Sequence, residues 1–469
     1  MTSSKTLWPM IVALWMAELT GSFETAMILA ALKALITTFG DPVKVGWLVT
    51  GYLIVGASVA AIVGRLGDLF GRRRVLCLTL AIGAAGSLIS ALSTSFEVLL
   101  AGRLIQGCTG AILPLCIGLV RENVSAERTP MTIGLMISGA SLGTAAGLVL
   151  GGVIVDQWSW HGVFFASVVF CVTALAGVTA LVPRSTTALS SGPTDWLSGL
   201  LFAPGVVLVL LYISSGPRWG WLNPVALGAL TSGLTLVVWW WRHSAKSAAP
   251  LISVRAFSDR TVAVGGAVTA LVSMSTLQIT VFFSLLLQAP RWTAAGMGLS
   301  ATAAGLVKLP SNITSTFAAP LGGWLAGRGG GRRAMVAGGL LTATGWALVL
   351  WDASSVTIIV AELIVISFGA TMLFAVAPAL IAQASPPDRV SEIAGLVTVI
   401  RQLFLGVGAQ MVATLLAVDA VTLGSESYPS PFAYRITVIV IIVVSLIATA
   451  LCLALPGKHQ RPHQETLPT

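Results

Sequence analysis

Long apolar segments recur along the whole chain and are separated by short polar turns. Each segment is about 20 residues long, the length that an α-helix needs to cross the hydrocarbon core of a bilayer. The pattern predicts fourteen such helices, and an even number places both chain ends on the same side of the membrane. The predicted spans are residues 8–32, 45–66, 74–93, 96–119, 131–155, 162–183, 196–215, 221–241, 262–288, 297–326, 334–351, 356–382, 391–418 and 433–456.

The composition agrees with this pattern and excludes a soluble protein. Of the 469 residues, 56% are hydrophobic and 9% are charged, and the mean hydropathy is +0.93. Soluble domains carry roughly 25% charged residues, so this chain lacks the polar surface to face water on all sides. All five cysteines fall within apolar segments, where we expect packing residues rather than a disulfide framework.

The placement of basic residues predicts the orientation of the chain. A net charge of +9 would suggest a nucleic-acid partner in a soluble protein, but here arginine and lysine collect in alternate loops. The loops of one side hold only Lys44, Arg218, Arg291 and Arg435, and those of the other side hold most of the rest. Basic loops face the cytoplasm. We therefore expect the chain in the cytoplasmic (inner) membrane, with both termini cytoplasmic and no nucleic-acid partner. We also expect it to be a monomer.

Two long polar interruptions divide the predicted helices into groups. Pro183–Asp195 and Trp241–Arg260 bracket one pair of helices and separate two blocks of six. The expected units are an N-terminal six-helix bundle at 1–186, two additional helices with a cytoplasmic linker at 187–260, a C-terminal six-helix bundle at 261–456 and a cytoplasmic tail at 457–469.

A related glycine- and arginine-rich segment follows the second helix of each block. Gly64-Arg-Leu-Gly-Asp-Leu-Phe-Gly-Arg-Arg-Arg74 is the first copy, and Gly323-Trp-Leu-Ala-Gly-Arg-Gly-Gly-Gly-Arg-Arg333 is the second. Such a repeat is expected of a membrane fold built from two related halves. In the first copy the glycines allow close approach of the backbone, and Asp68 is able to cap a helix N-terminus and pair with arginine. This segment is predicted to form a latch that holds one conformation.

Glu18, Glu24 and Arg103 are ionisable residues that lie inside predicted spans. At 1.5 Å per residue, Glu24 is about 12 Å from the outer end of the first span, and Arg103 is about 10 Å from the same face in the fourth span. A charge at such a depth is costly unless it is paired or hydrated, so the matched depths predict that these two side chains meet. Such a carboxyl group is able to load and release a proton as water access alternates. Glu18 lies about 120° round the helix from Glu24, so the two glutamates need not face one cavity.

Glycines recur every four residues in the fifth span, at Gly139, Gly143, Gly147 and Gly151. A stripe of small residues lets two membrane helices pack closely, and close packing alone is sufficient to explain it.

Several of these segments resemble the motifs of the major facilitator superfamily, and the resemblance covers about residues 8–456. Motif A is resembled by Gly64, Asp68, Gly71, Arg72 and Arg73, motif B by Arg103, Gln106 and Gly107, and motif C by Gly143, Gly147, Gly151 and Gly152, with Leu148 in place of the usual proline.

The segment Phe23–Leu32 further resembles motif D1 of the fourteen-helix drug–proton antiporters of that superfamily. Glu24 stands where that family has aspartate, and Leu29 and Lys33 replace its usual asparagine and proline. The resemblance implies an all-α integral membrane protein of the major facilitator fold, with two six-helix bundles and two extra central helices. It also implies that Glu24, Arg103 and Glu18 take part in proton coupling, and that motif C favours export.

Lys308 lies near mid-span beside Pro310, where the family usually has apolar residues. A lysine there is able to receive an anionic group or to pair with an acid such as Glu362. Together with Phe23 and Arg401, it is a candidate for lining the substrate cavity.

Two functions follow as expectations. The first is proton-coupled export of amphipathic drugs, which implies multidrug efflux and antibiotic resistance. The second is export or flipping of one specific metabolite or lipid of acidic character, which Lys308 and the altered first-helix motif favour. An enzyme is not expected, because the four histidines are dispersed and the sequence has neither an HExxH motif nor a phosphate-binding loop. No metal or cofactor is expected either.

Overall fold

The computed structural model of the chain describes residues 4–39, 42–184, 195–293, 295–299, 301–351, 355–423 and 426–455. Within them the chain is almost entirely α-helical, and the helices coincide with the predicted spans to within a few residues at most ends. The predicted boundary at 186/187 and the tail at 457–469 lie outside the described residues.

The helices of the first half are α1 (Ser4–Phe39), α2 (Pro42–Phe70), α3 (Arg72–Ala91), α4 (Phe96–Gln106), α5 (Ile112–Asn123), α6 (Thr129–Gln157) and α7 (Trp160–Leu181). The additional pair is α8 (Trp196–Trp219) and α9 (Pro224–Lys246). The second half contains α10 (Arg260–Met274), α11 (Ile279–Gln288), α12 (Ala301–Leu325), α13 (Gly331–Trp351), α14 (Val356–Ala384), α15 (Val390–Leu416) and α16 (Pro431–Cys452).

Thirteen segments among the described residues are long and apolar enough to cross a membrane, with α4 and α5 counting as one and α10 and α11 as another. The helix α12 occupies the place of the remaining predicted span. It is 25 residues long, and it carries Lys308, Asn312 and several hydroxyl side chains between its apolar residues.

Two predicted spans are interrupted. A 3₁₀ turn at Gly107–Ala111 separates α4 from α5, and another at Thr276–Gln278 separates α10 from α11. At the first break α2 passes so closely that a Cβ atom on Gly110 would stand 2.7 Å from the Cα atom of Gly56. Pro114 follows the first break by three residues and has no N–H to donate to the carbonyl oxygen of Gly110. The second break has no proline, and the apolar pattern alone predicted continuous helices through both. An antiparallel hairpin, β1 (Ala420–Leu423) and β2 (Glu426–Pro429), joins α15 to α16 with Val421 opposite Tyr428.

The two halves contact each other along two helix–helix interfaces, which we call the first and second seams. Each seam contains one copy of the repeated segment. In the first seam α2 packs on α15, and a Cβ atom on Gly64 would stand 2.2 Å from the carbonyl oxygen of Ser391. In the second seam α12 packs on α6, and a Cβ atom on Gly323 would stand 2.1 Å from the carbonyl oxygen of Pro130. Any side chain at either glycine would push the halves apart. Both glycines open their copies of the repeat, which explains their presence there.

The additional helices pack beside the first seam. Apolar side chains of α8 and α9, such as Phe202 and Trp240, form one cluster with residues of α2 and α15. Asp195 caps α8 by accepting from the Leu197 N–H, and its other oxygen lies 2.6 Å from Nε2 of His243 at the end of α9. Burial opposes ionisation of Asp195, but hydrogen bonds from Ser247 and His243 outweigh burial and hold its pKa below the usual value. These contacts tie the two ends of the pair together.

The glycine stripe of α6 packs on α1. A Cβ atom on Gly143 would stand 2.7 Å from the carbonyl oxygen of Leu19, and one on Gly147 would stand 2.7 Å from that of Phe23. Gly152, the neighbour of Gly151 in motif C, lies outside the stripe, and a Cβ atom there would meet nothing within 4 Å. The close-packing explanation therefore holds for the part of the stripe that faces α1.

We expect Gly147→Val to destabilise the protein by about 1–3 kcal/mol, because the added side chain forces α1 and α6 apart. The measurement is thermal unfolding of the detergent-solubilised chain. Gly152→Val is the matched control and should leave the transition within about 0.5 kcal/mol of the wild type. Equal effects of the two substitutions would contradict the packing described here.

Candidate functional site

The carboxyl group of Glu24 is enclosed by four segments of the first half. Its side chain is 1% exposed. One oxygen accepts a hydrogen bond from Oγ1 of Thr109 at 3.2 Å, and the other accepts from Sγ of Cys171 at 3.2 Å and from Oγ of Ser87 at 3.4 Å. These donors come from the 3₁₀ turn after α4, from α7 and from α3. The break in the fourth span therefore contributes to this site, because its 3₁₀ turn contains Thr109, which donates to Glu24.

Arg103 is equally buried on α4, and its guanidinium contacts protein groups on several sides. Its Nε atom donates to the carbonyl oxygen of Leu48 at 3.1 Å, and Nη1 donates to Oε1 of Gln106 at 2.5 Å. Its central carbon lies 4.3 Å from the centre of the Tyr52 ring. Such a cation–π contact favours the charged form in a dehydrated site. Nη2 has no hydrogen-bond partner among the described residues.

Glu24 and Arg103 belong to one network, but the predicted pair is indirect. Gln106 accepts from Arg103 and donates through Nε2 to Oγ of Ser87 at 2.8 Å, and Ser87 contacts Glu24. No salt bridge joins Glu24 and Arg103 in the described structure. The expectation of a direct pair was wrong, because Gln106 lies between the two groups. The motif B residues Arg103 and Gln106 therefore act on Glu24 together.

The network reaches a cavity between the two halves. The hydroxyl groups of Tyr52 and Thr109 lie 2.9 Å apart, and both residues line a cavity of about 280 Å³. Thr109 thus contacts Glu24 on one side and lies at the cavity wall on the other. Residues of α1, α2 and α6 form one wall of the cavity, and residues of α14 and α15 form the other.

Glu18 and Arg401 face each other across this cavity. Glu18 is on α1 and Arg401 is on α15, where its guanidinium lies 5.5 Å from the ring of Phe374. The predicted candidates Glu18 and Arg401 are therefore both cavity residues, although the sequence suggested no relation between them. Glu24 points away from the cavity, into the first bundle, as the angle between the two glutamates allows.

Two further candidates lie elsewhere. Phe23 is fully buried and packs on Phe170, with ring centres 4.0 Å apart, so it does not line this cavity. Lys308 is also absent from the cavity wall; its Nζ atom donates to Oγ of Ser284 at 2.5 Å and to the carbonyl oxygen of Thr280 at 3.0 Å. Lys308 therefore ties α12 to α11 within the second half.

The latch predicted at Gly64–Arg74 crosses the first seam. Asp68 accepts hydrogen bonds from the backbone N–H groups of Ser391 and Glu392, at 3.3 and 2.9 Å, at the N-terminus of α15. Arg72 holds Asp68 at 2.7 Å and also donates to the carbonyl oxygen of Pro387 across the seam. A carboxylate at the start of a helix is stabilised by the free N–H groups there. Asp68 and Arg72 therefore bind the two halves together.

Two other motif A residues act locally. Gly71 has φ of 96°, a left-handed conformation that favours glycine, and it allows α3 to begin directly after α2. Arg73 donates to the carbonyl oxygen of Thr179 in α7. Neither residue crosses the seam through these contacts.

A second carboxylate of the latch was missed by the sequence reasoning. Glu392 is fully buried and lies 3.6 Å from Arg65 and 3.1 Å from Arg389. Its Oε1 atom also accepts the backbone N–H of Ser253, in the linker after α9, at 2.7 Å. The extra helices are thereby connected to the latch. An acidic residue in the first turn of a predicted helix was the available signal.

Together the helices and the site define a polytopic membrane protein with two pseudo-symmetric helical halves around a central cavity. The model of the Major Facilitator Superfamily matches the chain over residues 14–409 and 267–468. The chain belongs to this superfamily, and the fold predicted from the resemblance is confirmed.

Among curated relatives, the chain is 26% identical over 353 residues to the tetracenomycin C resistance and export protein of Streptomyces glaucescens, which covers 74% of this chain and 64% of that protein. It is 27% identical over 335 residues to a multidrug resistance protein B homolog of Mycobacterium tuberculosis, covering 70% and 61%. For these two proteins and two further curated relatives, the match spans 50–64% of the relative's own length.

Solved structures agree with the fold. The human organic anion transporter MFSD10 superposes with a TM-score of 0.67 at 16% identity, over 95% of this chain and 99% of that one. The proton:xylose symporter XylE superposes with a TM-score of 0.64 at 15% identity, over 95% and 96%. At these identities the likeness concerns the fold alone.

We expect Asp68→Asn to loosen the first seam, because the neutral amide loses the charge that the N-terminus of α15 stabilises. A single cysteine placed by Ala394→Cys, in a chain whose native cysteines are replaced by alanine, should then react faster with a maleimide. Asp156→Asn, at an exposed aspartate away from the seam, is the control. An unchanged labelling rate in the Asp68 variant would show that the latch does not hold the seam closed.

Proposed function

We propose that this chain is a proton-coupled secondary active exporter that, as a monomer, moves amphipathic drugs or related small molecules outward across the cytoplasmic membrane. The observation that carries this proposal is the position of Glu24, which is buried from solvent but connected through Thr109 to the cavity between the halves. The names of the relatives, which include resistance and export proteins, support the choice of substrate class.

The proposed coupling rests on a change of hydrogen bonding at Glu24. An ionised carboxylate only accepts hydrogen bonds, whereas a protonated carboxyl group also donates one. Protonation therefore requires Thr109 or Ser87 to reverse its role toward Glu24. Because Thr109 also contacts the Tyr52 hydroxyl at the cavity wall, this reversal alters the surface that a substrate meets.

The cycle that we propose exposes the cavity to one side of the membrane at a time. The latch of Asp68 and Arg72 closes the end of the protein that carries the α2–α3 turn, which we call the arginine-rich end. By the charge distribution this end faces the cytoplasm. In this state the cavity is open to the outside and accepts protons from there. Opening of the latch then exposes the cavity to the cytoplasm, where the next substrate binds.

A second candidate function is export of one acidic metabolite or lipid. The observation that favours it is Arg401, which projects a guanidinium into the cavity opposite Glu18. An anionic substrate would compete with Glu18 for Arg401, which would couple its binding to protonation of Glu18. A competition profile separates the two candidates: many unrelated cations support the drug exporter, and one acidic class supports the specialist.

We expect Glu24→Gln to abolish proton-coupled flux while leaving the protein folded, since glutamine keeps the shape of the protonated carboxyl group and, like it, both donates and accepts hydrogen bonds, but does not ionise. The measurement is dissipation of a proton gradient in inside-out vesicles with an acidic lumen, on addition of cationic and acidic compounds in turn. Glu97→Gln, at an exposed glutamate of α4, is the matched control. If a compound discharges the gradient equally with wild type and the Glu24 variant, Glu24 is not the coupling residue.

We expect Thr109→Val to slow coupled flux without abolishing substrate binding, because the isosteric change removes the hydroxyl group that connects Glu24 with Tyr52. Thr173→Val, on the exposed face of α7, should have no effect. Flux and binding are measured separately, with the same compound, in proteoliposomes and in detergent. Loss of binding with unchanged coupling would contradict the proposed connection.

A further inference from the structure

The second seam contains a cavity at the arginine-rich end. It has a volume of about 720 Å³ and lies between the start of α1, the start of α6 and the end of α12. Basic, aromatic and apolar side chains line it, among them Arg128, Arg328, Trp8 and Trp324. The first seam is filled at the corresponding place by the latch.

The repeated segment explains why this space is open. Gly327 holds the place of Asp68, Gly331 that of Arg72 and Trp324 that of Arg65. Across the seam the close contacts of Pro130 and Gly134 mirror those of Ser391 and Gly395, which puts Met131 in the place of Glu392. Both latch carboxylates are therefore missing from the second seam.

Of the three latch arginines, the second seam keeps a counterpart of one and gains an arginine elsewhere in the repeat. Arg128 holds the place of Arg389, which in the first seam donates to Glu392. Arg328 adds a second guanidinium, which lies 4.0 Å from the ring centre of Trp324. Neither Arg128 nor Arg328 forms a salt bridge with any described residue. The first turn of α6 also borders the cavity, and a helix N-terminus favours an anion. Glu127 contributes one negative charge, so the lining keeps a net positive charge.

An apolar track leads from the cavity along the outer surface of α12. Phe317, Leu321 and Trp324 lie on one face of that helix and are 69%, 41% and 39% exposed. Trp8, at the opposite wall of the cavity, is 63% exposed. A free phosphate ion has no apolar surface to bury against these side chains, whereas the acyl chain of a lipid has. The occupant that fits has an anionic head and an apolar tail.

We propose that this cavity binds the headgroup of an anionic phospholipid from the adjacent leaflet. The lipid phosphate binds Arg128 and Arg328, and one acyl chain lies along Phe317, Leu321 and Trp324. The bound phosphate supplies to the second seam the negative charge that Asp68 and Glu392 supply to the first. Since Arg128 belongs to the first half and Arg328 to the second, the lipid joins the halves. Basic pockets between membrane helices on the cytoplasmic side are suited to such headgroups. The inference is independent of the transported substrate.

The test is native mass spectrometry of the full chain, purified in detergent and titrated with phosphatidylglycerol. The double variant Arg128→Gln/Arg328→Gln should lower the affinity of the tightest bound lipid by at least about tenfold, as expected for loss of charged hydrogen bonds. Arg242→Gln, at an exposed arginine of α9 outside the cavity, is the control and should bind as the wild type does. Equal affinities of the double variant and the control would overturn the proposal.

A second variant tests whether weaker lipid binding in the double variant is due to misfolding. Met131→Glu gives the second seam the carboxylate that Glu392 provides in the first, and it removes no arginine. This variant should also weaken phosphatidylglycerol binding while keeping or raising the unfolding temperature. Unchanged lipid binding in this variant would count against the site. Phosphatidylcholine and inorganic phosphate are titrated in parallel as competitors. Displacement of phosphatidylglycerol by inorganic phosphate at equal concentration would overturn the choice of a lipid, and equal binding of phosphatidylcholine would overturn the role of negative charge.

Discussion

A charge inside a membrane protein is stable only where protein groups replace the water that it has lost, and this requirement governs the arrangement of the chain. Glu24 takes its donors from three other segments, Arg103 is held by α2 and by Gln106, and Asp68 is held by the N-terminus of α15. Because each charged group draws partners from different helices, the contacts that stabilise the charge also fix the helices. A change in protonation is therefore a change in packing, which is the property that the proposed coupling requires.

The sequence predicted the helices well because a bilayer leaves few alternatives: an apolar segment of sufficient length satisfies its backbone only as a helix. The glycines of the first repeat predicted close approach of the backbone, and the structure adds that Gly64 and Gly323 lie where the two halves leave no room for a side chain. The break at Gly107–Ala111 had a local signal in its two glycines and in Pro114, which apolar periodicity does not register, whereas Thr276–Gln278 contains neither glycine nor proline. Both depend on neighbouring helices, and periodicity along one segment carries no information about its neighbours.

The candidate site was predicted in part. Counting residues along a helix gives the depth of Glu24 and Arg103, but it does not give the rotation of each helix about its axis. That rotation places Gln106 between them and turns Phe23 into the bundle against Phe170. It also brings Glu18 and Arg401 to one cavity from opposite halves. Glu392 was missed because its role depends on a seam between segments that are distant in sequence.

The two seams are built on one repeat but are closed by different means. Two internal latches of equal strength would bind the halves rigidly at the arginine-rich end, and alternating access would then require both to break together. Among the described residues, only the first seam has carboxylates at the positions of Asp68 and Glu392, and Glu392 also accepts the backbone N–H of Ser253 in the linker of the additional helices. The second seam keeps a counterpart of Arg389 in Arg128, adds Arg328, and has no carboxylate in the places of Asp68 and Glu392. With an exchangeable anion there, the halves remain joined by backbone contact while the energy of opening depends on the surrounding membrane. The difference between Asp68 and Gly327 thus has a consequence under this proposal. The first seam is closed by a carboxylate of the protein, and the second is closed by the phosphate of a bound lipid.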